Sequence, residues 1–159
     1  MKYLCVLALL LALNQATKID TVTRKINLEA RYVTVQSDIK VETVDNLFYH
    51  VISVDQQDNL ASLHVRDIQK NRDLRLKQVK KLPAEFKNVN PKDYVIFKVD
   101  LLKKGVNELE VVEIFKHRKE PMPKTIRLRD EQLVKFDDSK YFLSVYEVDN
   151  MKTYVQFDT

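Results

Sequence analysis

Short runs in which apolar and polar residues alternate constrain the fold of this chain most. Successive side chains of a strand point to opposite faces, so a period of two predicts strands with one buried face. In residues 32–43 the apolar residues Val33, Val35, Ile39 and Val41 all fall on the same predicted face. In residues 94–101 the apolar residues Val95, Phe97, Val99 and Leu101 likewise share one predicted face. A charge placed at Val35 or Phe97 is therefore predicted to unfold the domain.

About nine such runs, rich in Val, Ile, Tyr and Phe, predict an all-β fold, an antiparallel β-sandwich of short strands. Turn residues separate the runs, and the sequence contains a single glycine, Gly105. Asn and Asp are therefore predicted to take most of the left-handed backbone positions. The predicted strands are residues 26–28, 32–43, 47–54, 94–101, 109–115, 126–128, 133–136, 141–148 and 154–157. The predicted turns are residues 45–46, 56–59, 88–91, 103–107, 120–123, 137–139 and 149–150.

Residues 66–81 are ambiguous in structure and strongly basic. They include seven basic and two acidic residues. The pattern fits either a strand pair around Lys70-Asn71 or a short helix. The basic side chains form either a solvated face or a contact surface for acidic partners or lipid headgroups. This predicted contact surface consists of Arg66, Lys70, Arg72, Arg75, Lys77, Lys80 and Lys81.

The N-terminal residues 1–16 have the layout of a cleavable signal peptide. Lys2 precedes an unbroken apolar run from Leu4 to Leu13, and Asn14-Gln15-Ala16 ends the segment with a small residue. The run is too short for a membrane-spanning helix, which needs roughly 20 residues. Cleavage after Ala16 would leave residues 17–159, which we predict to form a single luminal β-sandwich domain.

The composition of residues 17–159 excludes several classes of function. The only cysteine, Cys5, lies in the predicted signal peptide, so the domain is expected to hold neither a disulfide nor a thiol nucleophile. The net charge is +4 for the full sequence and becomes +3 when Lys2 is removed with the signal peptide, which is too small to indicate nucleic-acid binding. No second long apolar run follows, so membrane association is expected only through partners. The last residues, Val155 to Thr159, resemble no retrieval signal.

No arrangement of side chains in the sequence indicates a catalytic, metal or cofactor site. His50, His64 and His117 lie on separate segments, whereas a metal site needs several ligands to converge. Asp137-Asp138 is explained by a hairpin turn. Residues 55–59 resemble part of a calcium loop but have no glycine and glutamate at the required positions. We therefore expect no cofactor and no enzymatic activity.

The aromatic residues are predicted to serve packing. Tyr94 with Phe97, and Tyr141 with Phe142 and Tyr146, are interpreted as core and cross-strand neighbours. A platform that binds a carbohydrate or a peptide is the alternative for these residues.

The order of three segments resembles the N-terminal luminal region of the ribophorin I family, subunit 1 (alpha) of the oligosaccharyltransferase complex. The first is TRKINLEARYVTVQSDIKVET, residues 23–43. The second is Lys80-Lys81-Leu82-Pro83 ahead of Asn90-Pro91. The third is KEPMPKTIRLRDEQLVKFDDSKYFLSVYEV, residues 119–148. The chain departs from the family pattern between Pro83 and Pro121, where it is longer by about one hairpin.

This resemblance implies a non-catalytic role in protein N-glycosylation in the endoplasmic reticulum. The expected partners are other oligosaccharyltransferase subunits and nascent luminal polypeptides. The resemblance covers about the first quarter of a typical family member, so the chain would lack the remaining luminal region and the C-terminal membrane helix. The alternative is a freestanding secreted β-sandwich that binds a protein or a glycan.

Overall fold

A computed structural model shows that the described part of the chain folds into β-strands with one short helix. The structure describes residues 16–29, 31–81, 86, 92–117, 119–122, 125, 133–138 and 141–157. The predicted signal peptide, except Ala16, and the predicted strand 126–128 lie outside these residues. The elements are β1 (Lys18–Leu28), β2 (Tyr32–Thr43), β3 (Leu47–Ser53), α1 (Val54–Gln57), β4 (Leu60–Asp67), β5 (Arg72–Asp73), β6 (Arg75–Val79), β7 (Tyr94–Asp100), β8 (Gly105–Lys116), β9 (Lys119–Met122), β10 (Leu133–Phe136) and β11 (Val148–Phe157).

The strands form one large sheet and two small ones. The large sheet has the order β11-β1-β2-β8-β4-β5, the second has the order β3-β7-β6, and β9 pairs with β10 alone. The all-β prediction is confirmed. One pairing differs from the expected antiparallel arrangement, because β11 runs parallel to β1.

The core lies between the six-stranded and the three-stranded sheets, as expected for a sandwich. One apolar cluster joins Val22 and Leu109 of the large sheet to Phe48 and Val99 of the small one. A second cluster contains Ile26, Val35 and Phe115, with Phe136 of β10 packed against it. Among the described residues, no helix is long and apolar enough to span a membrane.

The predicted burial of β2 is confirmed, whereas that of β7 holds only in part. Val33, Val35, Ile39 and Val41 are each at most 1% exposed. Val95 and Val99 of β7 and Leu101 just after it are buried, but Phe97 is only half-buried. Ile96, on the opposite parity, is 2% exposed. Both faces of β7 are therefore partly covered. For this reason the alternation of apolar and polar residues does not predict which of its side chains are buried.

Two predicted features near the C-terminus are wrong. Residues 141–147 are irregular, although alternation predicted a strand. Their backbone N–H groups bond side chains instead: Phe142 donates to Sδ of Met151 and Tyr146 donates to Oγ of Ser144. The predicted turn at residues 149–150 lies inside β11, where Asn150 pairs with Thr21.

Two strands escaped the sequence prediction. A bulge between Leu60 and Ser62 shifts the register of β4, so its apolar residues do not alternate. The strand β9 includes Pro121, which predicted a turn, but it belongs to a separate two-stranded ribbon. An edge position tolerates a proline because its missing N–H group is not needed for pairing.

Residues 66–81 adopt the strand-pair alternative. The chain turns at residues 68–71 and returns as β5, which pairs with β4. Asn71 takes a left-handed φ of 48°, but the other positive φ angles among the described residues belong to His117 and Gly105, so the prediction that Asn and Asp take most of these positions is wrong for this part of the chain. At the buried Leu74 the chain leaves the large sheet and continues as β6 of the small one.

Candidate functional site

Four ionisable side chains meet between the two sheets and form what we term the interior polar cluster: Arg24, His50, Glu113 and Asp138. Arg24 of β1 and Glu113 of β8 each occupy a position on the apolar face of a strand. His50 comes from β3 of the opposite sheet, and Asp138 follows β10. Burial of ionised groups is costly unless they are paired, so their partners decide whether the arrangement is tolerated.

The interior polar cluster consists of two close pairs. Nη2 of Arg24 donates to Oδ2 of Asp138 over 2.7 Å, and the two side chains are 8% and 3% exposed. Nε2 of His50 donates to Oε1 of Glu113 over 2.8 Å, and these side chains are 2% and 9% exposed. Each pair joins the large sheet to another part of the chain. The pairs therefore cross-link the sandwich through hydrogen bonds to charged groups.

The space beside the interior polar cluster is small. Arg24, His50, Glu113, Asp138 and Phe142 line a cavity of about 20 Å³, which is enough for roughly one water molecule. A substrate does not fit there, and each carboxylate already accepts a hydrogen bond from a basic side chain. The arrangement is suited to holding the sheets in register and gives no position for a reacting group.

The structure corrects the interpretation of Asp137-Asp138 and places the histidines apart. Asp137 is exposed and pairs with Lys135, whereas Asp138 is buried against Arg24. The two neighbours therefore have different roles, and the structure assigns a turn to neither of them. His64 is exposed on β4, and His117 lies just after β8. In the described part of the chain, no group of three potential ligands could hold a metal ion.

The predicted aromatic set at residues 141–146 forms a cover over the edge of β3. The ring of Tyr146 stacks on Phe48 at 5.3 Å and meets Phe86 edge-on at 5.4 Å. Its hydroxyl accepts a hydrogen bond from the backbone N–H of Tyr49 over 2.9 Å. Tyr141, in contrast, is 65% exposed. The segment thus closes one side of the sandwich, where an unpaired strand edge would otherwise face solvent.

Replacing Tyr146 by phenylalanine is expected to lower the free energy of unfolding by about 1–2 kcal/mol, because the N–H group of Tyr49 would lose its acceptor. The stacking on Phe48 would remain. Urea denaturation checks this value, and Tyr141→Phe, at an exposed position, is the matched control. Equal stabilities of the two variants would contradict this account of the hydroxyl group.

Two ion pairs on the surface raise the pKa values of their lysines. A hydrogen bond to the Asp149 carboxylate raises the pKa of Lys18 and links the starts of β1 and β11. The same effect of Asp137 raises the pKa of Lys135 on β10. The residues that resembled a calcium loop form α1 and the turn that follows it.

The predicted basic contact residues are all exposed. They lie on the segment in which the chain passes from the large sheet to the small one. Arg66 and Arg72 lie on β4 and β5, and Lys70 lies in the turn between them. Arg75 and Lys77 lie on β6, which is the last strand of the small sheet. Lys80 and Lys81 follow β6 directly. The structure therefore distributes these residues over the end of the large sheet, the last strand of the small sheet and the residues just after it.

Sequence reasoning missed Arg24 and Glu113. The signal was present, because each charged residue stands between two apolar residues of the same parity. Val22 and Ile26 flank Arg24, and Val111 and Phe115 flank Glu113. A charged residue on the apolar face of a strand indicates a buried pair. The identity of its partner depends on the packing of the other sheet.

Comparison with known proteins agrees with the resemblance in the sequence. No curated protein matches the chain significantly. The family model described as Ribophorin I matches residues 17–159, which is the greater part of the chain. The chain therefore belongs to the ribophorin I family.

Proposed function

We propose that this protein is a non-catalytic subunit of the dolichyl-diphosphooligosaccharide–protein glycosyltransferase complex, similar to subunit 1, and that it supports protein N-glycosylation. The observation that carries the proposal is the family match over residues 17–159. Fold alone does not imply function, since one β-sandwich architecture serves many activities. The family match is more specific than the fold.

The boundary of the match supports entry into the endoplasmic reticulum. The matched region begins at Thr17, directly after the proposed cleavage point at Ala16, and β1 begins at Lys18. Removal of residues 1–16 would thus leave every described strand intact. We propose that residues 1–16 are a signal peptide and that residues 17–159 form one luminal domain.

The chemistry of the interior polar cluster supports a non-catalytic role. A general acid or base must reach the proton that it transfers. Glu113 and Asp138 instead lie between the sheets, each bonded to a basic side chain. The protein would act through its surface, on other subunits of the complex and on nascent luminal polypeptides.

Affinity purification of the tagged full-length chain from detergent-solubilised microsomes tests the proposal. We expect other oligosaccharyltransferase subunits to co-purify, and we expect the mature N-terminus to be Thr17. A secreted, unrelated β-sandwich with the same tag is the control for nonspecific capture. Recovery of the protein in the medium without any of these subunits would favour a freestanding secreted binding domain and would reject the proposal.

A further inference from the structure

The outer edge of β6 has no partner strand among the residues that the structure describes. In the small sheet β6 pairs with β7 on one side, and no described strand pairs with its other side. An edge strand offers a row of backbone N–H and C=O groups to which an extended peptide can add as a further strand. β6 begins directly after Leu74, where the chain passes from the large sheet to the small one. Its outer edge therefore lies at the side of the sandwich.

Most of the exposed cations of residues 66–81 form no ion pair in the described part of the chain, although Arg75 of β6 stands directly opposite Asp100 of β7. Arg66 is the exception, because it pairs with Asp73 at 3.4 Å and with Glu110 at 3.7 Å. Asp67 is buried, and its carboxylate accepts a hydrogen bond from the backbone N–H of Lys70. Within the described ranges no ion pair involves the remaining six: Lys70, Arg72, Arg75, Lys77, Lys80 and Lys81.

One pair of like charges at this edge leaves Lys77 without an acidic partner among the described residues. Lys77 of β6 stands directly opposite Lys98 of β7, an arrangement that destabilises a sheet. Asp100 lies 3.5 Å from Lys98 and compensates that residue. Lys77 has no such neighbour in the part of the chain that the structure describes. An acidic residue on an added strand beside β6 would supply one.

The register of β6 specifies the pattern that such a strand needs. Arg75 and Lys77 lie two residues apart and share one face of the sheet, whereas Leu76 faces the core between the sheets. Residues directly opposite on neighbouring strands share a face. A complementary segment therefore carries acidic residues at alternate positions, with an apolar residue between them.

We propose that the β6 edge binds an extended acidic polypeptide segment by strand addition, with Arg75 and Lys77 facing its carboxylates. A polypeptide fits better than a lipid surface, because only a peptide backbone can pair with the strand edge. The added segment would gain affinity from main-chain hydrogen bonds and specificity from the two cations. This surface does not depend on the proposed place in the glycosyltransferase complex, and its test is separate.

The test uses the full chain and a fluorescent peptide of alternating Glu and Val residues, with binding measured by fluorescence anisotropy. Binding is expected to weaken as salt is added, since exposed charges are screened. The double variant Arg75→Glu, Lys77→Glu is expected to weaken it about tenfold or more, since both charge-assisted contacts become repulsive. Both side chains are exposed, so the variant should melt within a few degrees of the wild type.

Two controls separate the β6 edge from general attraction. The variant Lys116→Glu, Lys152→Glu makes the same change in net charge, and Lys152 lies on β11, the outermost described strand of the large sheet. It is expected to bind the peptide as the wild type does. A peptide with alternate backbone nitrogens methylated keeps its charge but cannot add as a strand, so it is expected to bind about tenfold more weakly.

Three results would overturn the proposal. Equal loss of binding in both double variants would mean that net charge alone attracts the peptide. Unchanged binding of the methylated peptide would exclude strand addition. Preferential binding to phosphatidylserine vesicles that depends on Arg75 and Lys77 would identify the surface as a membrane contact instead.

Discussion

Replacing Val35 by aspartate is expected to abolish cooperative folding. Val35 is fully buried, and its partner in the neighbouring strand is Glu113, whose side chain is itself buried. The new carboxylate would lie beside that of Glu113, and the nearby cations Arg24 and His50 already pair with Asp138 and Glu113. Burial of an unpaired charge is among the few changes that cost more than about 4–5 kcal/mol. A cost of this size is comparable to the whole free energy of unfolding of a domain at the lower end of the usual range of about 5–15 kcal/mol.

Thermal melting followed by circular dichroism measures this effect. Val44→Asp is the matched control, because Val44 is 45% exposed just after the same strand, and its change should stay within about 0.5 kcal/mol. Phe97→Asp should cost less than Val35→Asp, since Phe97 is only half-buried. A cooperative transition of Val35→Asp near the wild-type temperature would show that the inner face of β2 is wrongly assigned.

Asp138→Asn is expected to lower the free energy of unfolding by about 3–5 kcal/mol, the usual cost of removing one partner of a buried ion pair. The asparagine keeps the shape of the side chain but not its charge, while the guanidinium of Arg24 stays buried. Because Asp138 anchors the segment that follows β10, the loss should also loosen the cover formed by residues 141–147. Urea denaturation measures the change.

The neighbouring residue provides the control for Asp138. Asp137→Asn removes an ion pair with Lys135 in which the Asp137 side chain is 81% exposed. Exposed pairs contribute about 0–1 kcal/mol and are screened by salt. The difference between the two variants should therefore persist at high salt. Equal stabilities would mean that the Arg24–Asp138 contact contributes no more than a surface pair.

The sequence predicted strands well where a strand has one covered face and one exposed face. β2 has this environment, and both its bounds and its buried residues agree with the prediction. The strand β7 has apolar residues on both faces, so parity misassigned Phe97 and Ile96. Residues 141–147 alternate but contact two sheets at once, so the same pattern does not indicate a strand there.

The candidate site could be predicted only in part. Charges at Arg24 and Glu113 on apolar faces are visible in the sequence. Their partners, Asp138 and His50, lie far along the chain, so no local pattern connects them. The basic surface was recognised from local charge density, because its residues lie close together in the chain, between residues 66 and 81. Its open edge became apparent only with the strand order.

By itself, the sequence determined the all-β class, the inner face of β2 and the row of cations between residues 66 and 81. These properties depend on the alternation of side chains along a strand and on local composition, which neighbouring residues specify. Only the tertiary structure decided that β11 runs parallel to β1, that Arg24 meets Asp138 and that β6 ends its sheet. Such contacts join residues distant in the chain, and the packing of one sheet on the other selects among the pairings that the local pattern allows.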